Sequence, residues 1–435
     1  MKILLCFLSV FFIVYQGNSQ EILDLKRALQ LLLENNFDIK MVQKDKEIAL
    51  INNSYSNAGF LPKLILNGTE TFNRNDTKQQ FFDGRVREAD DAKSNALSSS
   101  LLMNWTIFDG FEMYLLKSEL QYKYQQTDLL LQSKIEYKIA ELMSIYFGIV
   151  LQMKKKSVYQ QALNYSKERV KLAEKKYQIG SASGLSTLQA VVDMNVDSAN
   201  LMNQKLIFEN ELLKLNSILG VDIKTQYYLS DTIRIQQTFS STDVLLKVIE
   251  KNNKELLISQ NNIAMSLISY RLVHVPNYPR LELFGGYSFA KSKSEVGLLQ
   301  SSKNTGMVYG VNFSYTIFNG FDTKRNAQIA VIEHDKLEIE RQNIINELTY
   351  KILSLYNNYS NGLNLLQLQQ KNIEFSKQNL TVAFERYKLG DMSEIDLREI
   401  QLKYMQAENS YLDMLYQIKN IEIELNRICG KLNVD

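Results

Sequence analysis

Two stretches of the chain alternate apolar and polar residues with a period of two, whereas long segments elsewhere place apolar residues three and four positions apart. In 97–107, Leu97, Ser99, Leu101, Met103, Trp105 and Ile107 alternate with Ser98, Ser100, Leu102, Asn104 and Thr106. In 307–317 the pattern is cleaner, with Met307, Tyr309, Val311, Phe313, Tyr315 and Ile317 against Val308, Gly310, Asn312, Ser314 and Thr316. This spacing predicts strands with one apolar face. Partner strands are expected over 63–73 and 280–290, where Leu281, Leu283, Gly285, Tyr287 and Phe289 form the better apolar face. Helical spacing is as regular. Ile135, Ile139, Leu142, Tyr146, Ile149 and Met153 make a coiled-coil seam, and Ile345, Thr349, Ile352, Tyr356, Tyr359 and Leu363 repeat it with one polar lapse. Leu185, Leu188, Val192, Asn195, Ala199, Met202 and Leu206 predict a third seam. An ordinary helical bundle satisfies the seams alone, and a small sheet covering a soluble core satisfies the strands alone.

The chain repeats itself. Trp105-Thr106-Ile107-Phe108-Asp109-Gly110-Phe111 returns 210 residues later as Tyr315-Thr316-Ile317-Phe318-Asn319-Gly320-Phe321. Tyr177-Gln178-Ile179-Gly180 returns as Tyr387-Lys388-Leu389-Gly390, and Leu219-Gly220 as Cys429-Gly430, at the same offset. Upstream, Asn35-Asn36 matches Asn252-Asn253, and Leu61-Pro62-Lys63-Leu64 matches Tyr278-Pro279-Arg280-Leu281, both at an offset of 217. The seven-residue difference falls in the polar stretch 73–95, which reads as a longer loop. Five matches in one order describe a tandem duplication. Each unit is expected to hold a first helix (22–58, then 241–275), two strands, a very long helix, a glycine turn and a last helix. The expected divisions are a first repeat at 20–220, a linking equatorial segment at 221–240, a second repeat at 241–430 and a tail at 431–435. The long helix of the first repeat would run over about 111–177, roughly 100 Å at 1.5 Å per residue.

Composition supports uninterrupted helices. Only three of 435 residues are proline (Pro62, Pro276 and Pro279), where ordinary usage gives roughly twenty. All three precede expected strands, where a missing donor is tolerated. With 50 basic against 48 acidic side chains, the chain has no electrostatic footprint for nucleic acid. Residues 1–19 read as a secretory signal: Lys2, an apolar run over 3–15, and the small residues Gly17 and Ser19 before a cut at Gln20. Cys6 would leave with that signal, so Cys429 is the one cysteine expected in the mature chain and no intrachain disulfide is possible. No later segment reaches eighteen unbroken apolar residues, so an exported chain with amphipathic strands points to soluble export or a β-barrel. In a barrel, Trp105, Tyr309, Phe313 and Tyr315 would face lipid, with Trp105 and Tyr315 in the interfacial belt. Four strands cannot close on themselves, and open edges are forbidden in lipid, so closure needs several copies.

The two-fold repeat, the proline before each first strand, the aromatic-Thr-Ile-Phe-Asp/Asn-Gly motif and the Tyr-x-x-Gly turns together resemble the TolC family of outer-membrane efflux proteins over essentially the whole mature chain. The resemblance implies a mainly α fold with a small β portion. In it, a homotrimer makes a twelve-stranded barrel, four strands per chain, in the outer membrane of a Gram-negative bacterium, continuous with a long α-helical barrel in the periplasm. It implies a passive exit duct for small toxic molecules, with a periplasmic adaptor (membrane fusion) protein, an inner-membrane pump and outer-membrane lipid as partners. The same fold serves as the exit channel of type I protein secretion, and a soluble periplasmic coiled-coil adaptor is the competing reading from another class.

By the same resemblance, the duct narrows at the turns 178–185 and 388–395. Gly180, Ser181, Gly184, Gly390 and Asp391 are the tip residues expected to meet the adaptor. Asp396 and Glu399 match the positions of cation-sensitive acidic rings, and Tyr387 matches a tyrosine that helps hold the closed state. Met392 stands where a gating arginine is often found, which puts the usual latch in doubt. Acidic residues in a first helical turn also simply favour the helix dipole. No catalytic set, phosphate-cradling loop or paired metal-ligand spacing is present in the sequence, so no enzyme activity, cofactor or metal is expected. His274 reads as structural and His334 as a solvated helix residue.

Overall fold

The computed structural model describes residues 21–235 and 239–432; the export signal expected over 1–19 lies outside them. In chain order the elements are β1 (Glu21–Ile22), α1 (Leu25–Asn35), α2 (Phe37–Asn52), β2 (Lys63–Gln80), β3 (Val86–Phe108), α3 (Glu112–Gln178), α4 (Gly184–Leu219), β4 (Tyr227–Tyr228), α5 (Thr242–Asn252), α6 (Lys254–Val273), β5 (Arg280–Ser294), β6 (Ser301–Ser314), α7 (Asp322–Leu389) and α8 (Glu394–Ile428). The order from α1 to α4 recurs from α5 to α8. Two compact units emerge, one of residues 1–41, 133–253 and 347–435, the other of 42–132 and 254–346. Each draws on both sequence repeats; in the sheet, β3 of the first repeat pairs with β5 of the second.

The first helix of each repeat is broken, at Asn36 and at Asn253, where the sequence predicts continuity. Asn36 Oδ1 accepts the Ile39 N–H as an N-cap, while its Nδ2 donates to Ile218 O at 2.7 Å. Asn253 Nδ2 donates to Ile428 O at 3.0 Å in the copy. Each buried asparagine thus satisfies a carbonyl left free at the end of the last helix of its repeat. The glycines that stop those helices, Gly220 (φ 66°) and Gly430 (φ 61°), are left-handed. A Cβ on Gly220 would lie 2.7 Å from Asn35 O, and one on Gly430 2.9 Å from Asn252 O. Gly220→Ala is therefore expected to cost more than the 1–2 kcal/mol of a left-handed residue, roughly 3 kcal/mol with the clash. Thermal unfolding by circular dichroism would show it, and an unchanged midpoint would contradict the packing.

In the first unit the α3 seam is a true core, with Ile139, Leu142, Tyr146 and Ile149 buried alongside Ile418, Leu425 and Ile428 of α8. Tyr146 donates to Leu23 O at 2.9 Å and to Asp231 at 2.5 Å, anchoring the segment that carries the parallel β1–β4 pair. The α4 seam differs from expectation: Leu185, Leu188, Val192, Met202 and Leu206 are all more than half exposed, while Ala190, Asp197, Leu201 and Gln204 form the buried face. Within one chain that apolar stripe has nothing to pack on.

The second unit holds an antiparallel sheet in the order β2-β3-β5-β6. The polar stretch 73–95, expected as a loop, is strand on both sides of a tight turn at 81–85. Its residues stay paired from Asn73↔Ser94 to Gln80↔Val86 with one irregularity at Asn75/Thr77, and ion pairs Arg74–Asp91 and Lys78–Glu88 cross it. Backbone pairing and cross-strand charges extend a hairpin that hydrophobic alternation could not reveal. At the other end, Gly110-Phe111 and Gly320-Phe321 adopt consecutive left-handed conformations that turn the chain into α3 and α7. The edge-to-face pairs Phe108–Phe111 and Phe318–Phe321, each 5.3 Å between centroids, brace these turns. That bracing gives the repeated aromatic motif its purpose. His334 is partly exposed, and its Nδ1 lies 2.8 Å from Ser266 Oγ of α6. His274 has its ring edge-to-face with Tyr270 at 5.0 Å.

Candidate functional site

Paired residues of antiparallel strands project to the same side, so register decides whether the apolar faces of the four strands coincide. They do. Leu66, Leu101, Tyr287 and Met307 form one row, and Leu64, Met103, Gly285 and Tyr309 the next; Trp105, Leu283 and Val311 follow, then Leu281 with Phe313. A bulge between Thr106 and Phe108 puts Phe108, not Ile107, opposite Leu281. Tyr309 and Phe313 are exposed on this face, and Trp105 Nε1 donates to Phe60 O at 2.9 Å. Tyr315, expected as a strand aromatic, lies one residue past the end of β6. The opposite face is mixed: Asn67, Ser100, Ser288 and Gly306 make one small, polar row, and Ile65, Leu102, Gly286 and Val308 the next, nearer the helices. Strands β2 and β6 each leave one edge unpaired. No helix among the described residues is long and apolar enough to cross a membrane.

The second feature is the pair of helical turns in the first unit. Gly180 (φ 73°) and Gly390 (φ 87°) end α3 and α7 alike: Ser181 N–H returns to Lys176 O at 2.8 Å, and Asp391 N–H to Arg386 O at 3.0 Å. Ser183 and Ser393 then cap α4 and α8, accepting from Ser186 N and Asp396 N. Gly184 is the first residue of α4 rather than part of the turn. Ser181 Oγ donates to Lys176 O at 3.1 Å, and Asp391 is held by Arg386 Nε at 3.0 Å, so both tip side chains stabilise their own turn. Asp396 and Glu399 are exposed. Asp396 accepts the Ser393 hydroxyl at 2.6 Å, and Glu399 pairs with Lys403 at 2.6 Å.

Tyr387 is buried among Leu380, Phe384, Leu397 and Tyr404. Lys176 Nζ donates to its carbonyl at 2.5 Å and lies 3.9 Å above its ring. Burial, reinforced by the Glu394 carboxylate, pushes its phenol well above the ordinary range, so it stays neutral.

Beside Tyr387 lies a buried ionic cluster that the sequence reading missed. Arg169 of α3, 1% exposed, donates through Nε to Glu394 Oε1 at 2.8 Å, through Nη2 to Asp193 at 2.9 Å and through Nη1 to Gln401 at 3.0 Å. Arg398 grips Asp197 with two bonds of 2.7 and 2.9 Å, and Ser166 donates to the same carboxylate at 2.5 Å. Two guanidinium groups and three carboxylates thus tie α3, α4 and α8 together within about four turns of the tips. One trace was readable: Glu394, Arg398 and Gln401 share a face at i, i+4 and i+7, but nothing in α3 distinguishes Arg169 from its solvated neighbours. The four described groups with an unpaired buried side-chain atom include Glu394, through Oε2. No cluster of His, Cys, Asp and Glu among the described residues is arranged to hold a metal ion.

Residues 28–221 and 245–431 match the profile of the family described as outer membrane efflux protein. No curated protein matches the sequence significantly. Among solved structures, the CmeC outer membrane channel of Campylobacter jejuni is similar over 94% of this chain and 85% of its own, with a TM-score of 0.74 at 19% identity. A membrane protein from Pseudomonas aeruginosa gives 0.74 at 17% identity over 95% and 92% of the two chains. The open state of the Neisseria gonorrhoeae MtrE outer membrane channel gives 0.71 at 14% identity over 94% and 90%. At these identities the likeness is one of fold, and the functional statement rests on the profile, which covers both repeats. The chain belongs to the outer membrane efflux protein family, as an outer-membrane exit duct whose helical part lies in the periplasm.

Proposed function

We propose that three copies of this chain assemble into the duct, and that small toxic molecules leave through it after delivery by an inner-membrane pump and a periplasmic adaptor. The observation that carries this reading is the one-sided apolar sheet with two open edges. Edges cannot remain unpaired in hydrocarbon, so β6 of one copy must meet β2 of the next. Twelve strands enclose an aqueous lumen, and the face bearing Asn67, Ser100, Ser288 and Asn304 lines it. Trp105, Tyr309 and Phe313 then face lipid, with Tyr315 just below the band. The exposed α4 stripe of Leu188, Val192 and Met202 finds its partner in a neighbouring copy, as a coiled-coil seam requires. The repeats at 20–220 and 241–430, joined by 221–240, supply quasi-equivalent helices around the ring. The turns at Gly180-Ser181 and Gly390-Asp391 present the adaptor with braced tips.

At the narrow end, Asp396 and Glu399 are exposed and their local partners, the Ser393 hydroxyl and exposed Lys403, can yield to a passing cation, whereas the acids of the Arg169 cluster are buried. Asp396→Asn combined with Glu399→Gln is expected to weaken divalent-cation block of single-channel conductance by about tenfold, because three copies concentrate these charges at one ring. Block unchanged in the double variant would remove the acidic ring from the mechanism. A deletion strain that becomes sensitive to small toxic compounds supports the cargo assignment; one that loses only a secreted protein overturns it.

A further inference from the structure

Beyond the apolar rows, the same sheet face continues away from the helices toward the hairpin ends. After the row Gly68–Ser99–Phe289–Thr305, three more follow in register: Glu70–Leu97–Lys291–Lys303, then Phe72–Asn95–Lys293–Ser301, then Arg74–Lys93. At the same level the opposite face, from Thr69 to Asn304, Thr71 to Ser302 and Asn73 to Ser294, carries no charged residue. Five cations thus collect on the side of the sheet that is apolar below them. Lys291 stands directly across from Lys303, and Arg74 directly across from Lys93. Like charges in facing positions destabilise a sheet, so two such pairs mark a cost that an anion between them would remove. Of the nearby acids, Asp91 lies 3.7 Å from Arg74, Glu295 accepts the Lys93 backbone N–H at 2.9 Å, and Glu70 is separated from Lys291 by β3. Lys303 Nζ leans over the Phe289 ring at 5.8 Å, and no carboxylate among the described residues pairs with Lys93, Lys291 or Lys293. Arg74, Lys93, Lys293 and Glu295 also line a cleft of about 920 Å³.

We infer that this band of the sheet binds the phosphate-bearing headgroups of outer-leaflet lipid. The inference rests on the reading that the apolar face meets lipid. The periplasmic helices adjoin the other ends of the strands, so these rows lie on the exterior side of the apolar band. An amphiphile standing against Tyr287, Met307 and Tyr309 would bring its headgroup level with Lys291, Lys293 and Lys303. A free phosphate would gain the charges but not the apolar rows. Lysine suits the role, being a compact charge on a flexible stem that reaches along a surface.

The test uses the full mature protein in detergent and native mass spectrometry, with three probes: lipid A bearing both phosphates, lipid A stripped of phosphate, and inorganic phosphate. Wild-type protein is expected to retain the phosphorylated lipid in strong preference to the stripped form, with inorganic phosphate failing to displace it. Lys291→Ala/Lys293→Ala/Lys303→Ala is expected to lose about a hundredfold in that preference, as three basic side chains at an anionic surface imply. Lys78→Ala, on the same hairpin beyond these rows, should change nothing. A triple variant that keeps the preference, or full displacement by inorganic phosphate, overturns the proposal. Trp105, the chain's single tryptophan, reports separately on the apolar face. Quenching by bromine-labelled acyl chains without a phosphate preference rejects the headgroup site alone, and absence of quenching rejects the lipid-facing reading itself.

Discussion

Arg169→Met is expected to lower the stability of the helical unit by about 3–5 kcal/mol, the cost of stranding a buried carboxylate after its partner is removed. Glu394 is buried and already has one oxygen, Oε2, without a partner, so losing the guanidinium leaves it with no counter-charge in direct contact. Asp193 keeps a 3.2 Å bond from Gln189 Nε2 and, as its remaining counter-charge, Arg398 Nε at 3.7 Å. The measurement is the thermal midpoint of the helical circular dichroism signal. A second variant separates charge from packing: Arg169→Met/Glu394→Met replaces both buried members with apolar volume, and should recover much of the loss. Should the single variant melt with wild type, or the double melt below the single, the cluster is not a buried ion network in solution. Conductance adds a functional readout. Arg169 bonds α3 to both α4 and α8 beside the turns, so its loss should raise the open probability of the duct, whereas Lys155, paired with Asp413 farther from the turns, should affect it little.

Leu188→Glu with Met202→Glu is expected to convert the assembled protein to single chains in detergent. Both side chains are about two-thirds exposed in the isolated chain, at 66% and 67%, so the substitutions leave the fold of one copy intact. In an assembly they would bury six carboxylates in apolar seams, several kcal/mol each without partners. Light scattering with size-exclusion chromatography reads the mass directly. A double variant with the wild-type mass would show that α4 does not face another copy. Charge-reversing changes on the buried side, at Asp197 for example, would instead disturb the Arg398 pair and lower stability without addressing assembly.

The repeat, the long helix α3 and the apolar core of each strand pair follow from short-range patterns, and these are local physics. Long helix α3 ends one residue from its expected stop because Gly180 takes a left-handed turn that other residues resist. The apolar face of β3 and β6 was readable because pleating alternates side chains whatever lies around them. Tyr387 could be singled out only through resemblance. Its neighbour Lys176 comes from a helix 211 residues away, and Glu394 reaches it across the turn that reverses the chain.

Other features depended on partners distant in the chain. Asn36 breaks α1 from α2 because Ile218 O waits 182 residues away, and nothing local announces it. The polar hairpin 73–95 is held by backbone pairing and ion pairs, which leave no hydrophobic trace. The α4 seam was visible in sequence, but that it lies outside the chain's own core was not: periodicity states that a face must be covered, never by which helix. Burial of Arg169, the register that aligns four apolar faces, and the stacking of lysines above them are properties of assembled elements. Composition and periodicity determine elements because each residue there answers to its immediate neighbours; charge pairs and faces answer to whichever element packing brings across.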